Sequence, residues 1–205
     1  MKALVTQLYS IPFYQEKSAF TLNEKENKFI SKIVYGESVG RKGVKISENT
    51  DILEDKNLKR LKNFFDKRAG IYVKDVLQIR DKVFMINSWC AKSDKNSSHH
   101  THTHNGAFIS LVFYVQCNSG KLIINEDRSS IQSAYNFDYD VKKFNPFNTP
   151  RYFFEVKTGD LVIFPGHLRH GTEKNEDNID RVIIGANYFL KGVIGKKKRI
   201  TYINE

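Results

Sequence analysis

A chain of 205 residues and 23.8 kDa, 40% hydrophobic and 27% charged, has the size and composition of one globular domain rather than of a disordered polymer. No run approaches the ~18 consecutive apolar residues of a membrane helix, and the first residues lack the apolar core and small-residue cleavage site of a secretory signal. The formal charge of +10 is dispersed apart from Lys196, Lys197, Lys198 and Arg199. Solubility accounts for it, and a nucleic-acid partner stays open without being favoured.

In chain order, the N-terminal part reads as helical. Asn23 is placed to cap a helix whose Phe29, Ile30, Ile33 and Val34 share a face. Leu58, Leu61, Phe64 and Phe65, with Lys and Arg opposite, predict a second amphipathic helix. From Lys82 onward extended runs take over, at 83–89, 107–117, 121–125, 152–157, 160–164, 181–190 and 199–203. Turn residues separate them at Asn118-Ser119-Gly120 and Thr158-Gly159-Asp160. Residues 128–148 form an Asn- and aromatic-rich insertion of the length used for lids and binding loops. Short strands following packing helices predict a β-sandwich or jelly roll with helical support. The two cysteines, Cys90 and Cys117, are too few for a disulfide scaffold, so a cytoplasmic setting is expected.

The six histidines fall in two places: His99, His100, His102 and His104, then His167 and His170. Residues two apart in an extended segment point the same way, so His102 and His104 can present imidazoles to one metal. Around the second pair, a Gly159-Asp160 turn launches the apolar run Leu161-Val162-Ile163-Phe164, Pro165 ends it, and His170 follows. Arg181 opens the next apolar run, and its guanidinium suits a carboxylate gripped through two parallel hydrogen bonds. Antiparallel neighbours would return it to the neighbourhood of His170. Each cluster also has an ordinary reading, as a solvated polar loop or a hydrogen-bonded strand end.

Taken in order, Asn87-Ser88-Trp89, His102-Thr103-His104, Ser110, Phe113-Tyr114, Ser119-Gly120-Lys121-Leu122, Glu126-Asp127-Arg128, the 159–170 segment and 181–187 resemble bacterial and phage 2-oxoglutarate–iron(II) oxygenases related to the prolyl-hydroxylase group. The resemblance implies a mainly β, double-stranded β-helix (jelly roll) with N-terminal supporting helices. Residues 1–81 would be a helical lead-in packed on a core of residues 82–205, together one oxygenase domain. It further implies Fe(II), 2-oxoglutarate and O2, hydroxylation of a substrate that could include a peptidyl side chain, and succinate and CO2 as coproducts. His102, His104 and His170 would hold the metal, while Arg181 and Tyr114 would bind the remote carboxylate of 2-oxoglutarate.

One departure stands out. Such oxygenases commonly use two histidines and one carboxylate, yet the position of the acid carries His104. A three-histidine set is therefore expected, with Asp127 as the alternative carboxylate. The 128–148 insertion, through Tyr135, Phe137 and Tyr139, is the candidate substrate lid. Two other readings are a cupin-type three-histidine dioxygenase without 2-oxoglutarate, which leaves Arg181 unemployed, and a non-catalytic jelly-roll binding module, which leaves the histidines unemployed. Neither the substrate nor the oligomeric state is legible in the residues.

Overall fold

The computed structural model describes residues 4–6, 10–37, 43–125, 140–196 and 199–203. Two α-helices precede most of the sheet. In α1 (Glu24–Ile30), Asn23 and Glu26 form a reciprocal capping box, each side chain accepting from the other's backbone N–H at 2.9 and 2.8 Å. The helix stops at Ile30, so Ile33 and Val34 lie beyond it and Val34 is exposed, contrary to the periodicity. Glu26 is buried because Arg60 of α2 (Lys59–Ile71) donates to both of its carboxylate oxygens, at 2.6 and 3.1 Å. That pair ties the helices together. Leu61, Phe65 and Ala69 recur every four residues on α2 and are fully buried, forming its sheet-facing stripe.

The lead-in is not purely helical. It also supplies β1 (Tyr14–Glu16), β2 (Tyr35–Glu37) and β3 (Val44–Ser47), strands too short to show a clear period of two. The core strands are β4 (Lys82–Ser93), β5 (Ile109–Gln116), β6 (Leu122–Asn125), β7 (Arg151–Phe154), β8 (Leu161–Pro165), β9 (His170–Thr172), β10 (Arg181–Lys196) and β11 (Arg199–Ile203). They make two antiparallel sheets. The larger runs β1-β8-β5-β10-β4-β3-β2, with β11 paired to the far end of β10; the smaller runs β7-β6-β9.

Two apolar layers follow. The first lies between the helices and the outer face of the large sheet, where Leu58, Leu61, Phe65 and Tyr72 meet Leu111, Phe113, Ile184 and Tyr188. The second lies between the sheets and contains Val112, Tyr114, Val162 and Phe164 from one side with Leu122, Ile124 and Leu168 from the other. The alternation along β5 and β10 decides which residues face that interior: Ser110, Val112 and Tyr114 on one strand, Arg181, Ile183, Gly185 and Asn187 on the other. Gly159, with a φ of +89°, makes the turn into β8. Asp160 is buried behind it, accepting from the backbone N–H of Ser18 and of Lys157, each at 3.0 Å. No helix among the described residues is long and apolar enough to cross a membrane.

Candidate metal centre

The first histidine segment runs beside β9 as a further edge of the small sheet. His102 and His170 exchange backbone hydrogen bonds at 2.9 and 3.0 Å, and the Thr172 N–H donates to the His99 carbonyl at 3.0 Å. Gly171 permits this close passage, since a Cβ there would lie 2.9 Å from the His99 carbonyl oxygen. His104 is fixed by its own N–H, which donates to the Gly166 carbonyl at 2.8 Å. Gly166 in turn has no room for a side chain against the Ala107 backbone.

His102, His104 and His170 converge, with one ligand atom from each lying within 4.8 Å of the others. In all three rings Nδ1 meets an oxygen: the His100 carbonyl at 2.9 Å, the Asn187 side-chain oxygen at 2.7 Å and the Leu168 carbonyl at 2.8 Å. An acceptor at Nδ1 places the proton there and leaves Nε2 as the lone-pair atom. Ser110 also donates to the Asn187 oxygen, at 2.7 Å, which orients that amide with its oxygen toward His104.

The Nε2 atoms of His104 and His170 stand 3.2 Å apart. Two lone pairs facing each other at that distance repel unless a cation lies between them. Metal–imidazole bonds of about 2.0–2.1 Å at near right angles put two nitrogens about 3 Å apart, so this donor set fits a divalent ion. Two of the rings, His170 and His104, are also held neutral. Burial pushes the His170 imidazole down to about 2, helped by the neighbouring His102 and His104, and burial lowers His104 against the opposing effect of its hydrogen bond to the Asn187 oxygen. A neutral imidazole is the ligating form.

Residues 87–187 match the family described as "Putative 2OG-Fe(II) oxygenase". That stretch is a 2-oxoglutarate–iron(II) oxygenase match within the chain. No curated protein matches it, but solved structures share the fold. HygX from Streptomyces hygroscopicus, with nickel and 2-oxoglutarate bound, is 15% identical with a TM-score of 0.60, over 91% of this chain and 87% of that one. A Trichoplax adhaerens prolyl hydroxylase in complex with a hypoxia-inducible-factor peptide is 13% identical with a TM-score of 0.57, over 89% and 86%. A Pseudomonas putida prolyl-4-hydroxylase is 11% identical with a TM-score of 0.57, over 88% and 94%. Members of this oxygenase family use iron, 2-oxoglutarate and O2.

The oxygenase's other expected site residues divide into two groups. Arg181 and Tyr114 lie on the interior-facing rows of β10 and β5, both buried, and the Arg181 charge acts on the Tyr114 phenol. Arg181 does not arrive through a strand paired with β9. That strand bonds β6 in the small sheet, whereas β10 lies between β4 and β5 in the large one. The guanidinium donates to the carbonyls of Ser119 and Glu173 at 3.0 and 3.2 Å, and Gly120 has no space for a side chain against it. Its Nε has no hydrogen-bond partner although buried. Asp127 and the lid candidates Tyr135, Phe137 and Tyr139 lie outside the described residues.

Four residues beside the histidines carry no individual role in the sequence pattern. Asn187 and Ser110 are polar residues inside otherwise apolar strands, and that anomaly was their available signal. Asn87 pairs across from Asn187, and its side-chain oxygen is buried without a partner. Trp89 covers Gly185, where a side chain would overlap the indole, and its ring centre lies 5.3 Å from that of His104. A separate cleft, lined by Lys62, Asp66, Met85 and Tyr188, opens on the helix side of the large sheet and is not this site.

Proposed function

We propose that His102, His104 and His170 are the iron ligands and that the enzyme hydroxylates an organic substrate at the mouth between the two sheets. The observation that carries this reading is the convergence of the three rings, each with Nδ1 against an oxygen and one ligand atom within 4.8 Å of those of the other two. Bound there, Fe(II) with 2-oxoglutarate and O2 supplies the oxidising power to hydroxylate a C–H bond, leaving succinate and CO2.

The protein's part is positioning and exclusion. Leu168, His100 and Asn187 hold the three imidazoles in one tautomer. Arg181, with its unpartnered Nε, and Tyr114 form the charged and hydroxylic end of the interior, suited to the remote carboxylate of 2-oxoglutarate. Phe164, whose ring centre is 4.5 Å from that of His170, helps to keep water from the inner side of the metal. On the small sheet Tyr152 is two strands from His170 in the same lateral row, about 10 Å away at the usual strand spacing, and 44% exposed. It forms the substrate-side wall of the mouth. A peptidyl side chain or a compact metabolite would both reach past it. Two buried free thiols, Cys90 and Cys117, suit a reducing cytoplasmic setting.

The test is anaerobic reconstitution with Fe(II) or Mn(II), followed by 2-oxoglutarate binding and succinate formation. His170→Ala should weaken metal binding by at least the ~10–100-fold that supporting residues alone produce. Metal content and succinate formation that survive His170→Ala would remove the assignment. Metal-dependent oxidation without 2-oxoglutarate binding would favour the cupin-type reading.

A further inference from the structure

The histidines do not end at the inner triad. His99, His100 and His102 form a second convergent set, again with one ligand atom from each within 4.8 Å of the others. The two sets share His102, whose ring centre is 4.4 Å from that of His99 and 4.3 Å from that of His170. Exposure falls along the series: His100 is exposed, His99 and His102 are half-buried, and His170 is 5% exposed. Five imidazoles thus form one continuous path from solvent to the interior.

We propose that His99, His100 and His102 constitute an outer binding position for a divalent transition-metal ion, from which the ion passes to the inner triad with His102 as the common ligand. The proposal rests on the inner triad being the iron site. Its physical basis is dehydration. A hydrated cation cannot enter a pocket as closed as that around His170 without losing its water shell, and each imidazole that replaces a water lowers the barrier to losing the next. Fe(II), Co(II), Ni(II) and Zn(II) all accept imidazole in this role, whereas Mg(II) and Ca(II) prefer oxygen.

The backbone makes the outer position a built feature. The His99 N–H donates to the Thr172 hydroxyl at 2.9 Å, its carbonyl accepts from the Thr172 N–H, and Gly171 lets the 99–101 backbone lie flat against β9. The two positions are also mutually exclusive. His102 Nδ1 is held against the His100 carbonyl, which leaves one ligating nitrogen on that ring, and one nitrogen serves one ion at a time. The outer position is therefore a station on the way in, and the chain holds a single tightly bound ion.

Rapid mixing of the apoprotein with Co(II), followed by visible absorbance, separates the two positions. Wild type should load in two phases, a fast one that scales with Co(II) concentration and a slower one that does not. The double variant His99→Gln, His100→Gln should lose the fast phase and fill on the order of tenfold more slowly, the low end of what loss of a supporting group does to a metal site. Its final content should stay at one ion per chain, and release to a chelator should slow by the same factor as loading. His170→Gln should retain the fast phase and lose the slow one. Equal loading rates in wild type and the double variant would overturn the outer position, as would two Co(II) ions bound tightly at once. A His170→Gln variant that keeps the slow phase and final affinity would instead remove the inner triad as the metal site.

Discussion

Asn187 accepts two hydrogen bonds at one oxygen, from His104 Nδ1 and from the Ser110 hydroxyl, each at 2.7 Å. The arrangement gives His104 a fixed tautomer, with the proton on Nδ1. Asn187→Leu removes the acceptor and should weaken metal binding about 10–100-fold. Asn187→Asp, which still accepts, should recover most of that loss. Metal titrations of both variants alongside their melting temperatures decide the matter. A folded Leu variant that binds metal as tightly as wild type would show that Asn187 only packs.

His104 itself can be exchanged for the commoner ligand. His104→Asp should retain metal, because a carboxylate is a competent donor in this geometry. His104→Ala should lose affinity by more than the Asn187→Leu variant. Equal binding by wild type and the Ala variant would point to a two-histidine site or to a carboxylate such as Asp127.

At the far end of the interior, Arg181→Ala should reduce 2-oxoglutarate affinity while leaving metal binding nearly unchanged. Stranding one partner of a buried charged pair costs about 3–5 kcal/mol, which corresponds to a loss of several hundredfold or more at about 1.4 kcal/mol per factor of ten. Arg181→Lys should recover part of it, keeping the charge without the two-pronged geometry. The measurement is an oxygen-free 2-oxoglutarate titration of the Mn(II)-loaded protein. An Ala variant that binds equally well would exclude Arg181 as the counter-charge.

Acid should destabilise the metal-free protein through His170. Its folded pKa lies far below that of a free imidazole, at about 2, because burial penalises the charged ring. Above about pH 6.5 both states are neutral and the group has no effect; below it only the unfolded chain takes up the proton. Between about pH 6 and 4 this one group removes about 1.4 kcal/mol of stability per pH unit, and His104 acts in the same direction. Urea unfolding of apo wild type and His170→Asn at a series of pH values should show the variant losing less stability on acidification. Parallel pH profiles would mean that His170 is not held neutral.

The sequence revealed the strands that form the two sheets because most were long enough to show a pattern. The run 199–203 coincides with β11, and the others match within a few residues except β10, which continues to Lys196. Short elements were invisible: β1, β2 and β9 have three residues each, and such lengths carry no period. The histidines were legible as residue types with the right spacing. Their orientation was not, since two of the acceptors are backbone carbonyls and the third belongs to a residue 83 positions away from His104. Arg181 was chosen for its chemistry, and its entry from the opposite sheet depends on a strand order that local sequence does not encode.

The bridge between His102 and His170 would also couple occupancy of the proposed metal site to folding. One proposed ligand is on β9, another lies on the segment bonded to it, and the third is moored to the large sheet through Asn187. An ion gripping all three acts as a clasp across the open seam of the sandwich. By linkage, an ion that binds only the folded chain adds about 2.7 kcal/mol to its stability when present at 100 times its dissociation constant. The amides of the 99–104 segment and of β9 are then the ones whose hydrogen exchange should slow most on loading, while those of α2 keep their rates until the whole domain opens. In a cell short of iron, the same seam would be the first part of the protein offered to proteases, so the supply of the ion would govern how much enzyme survives as well as how much is active.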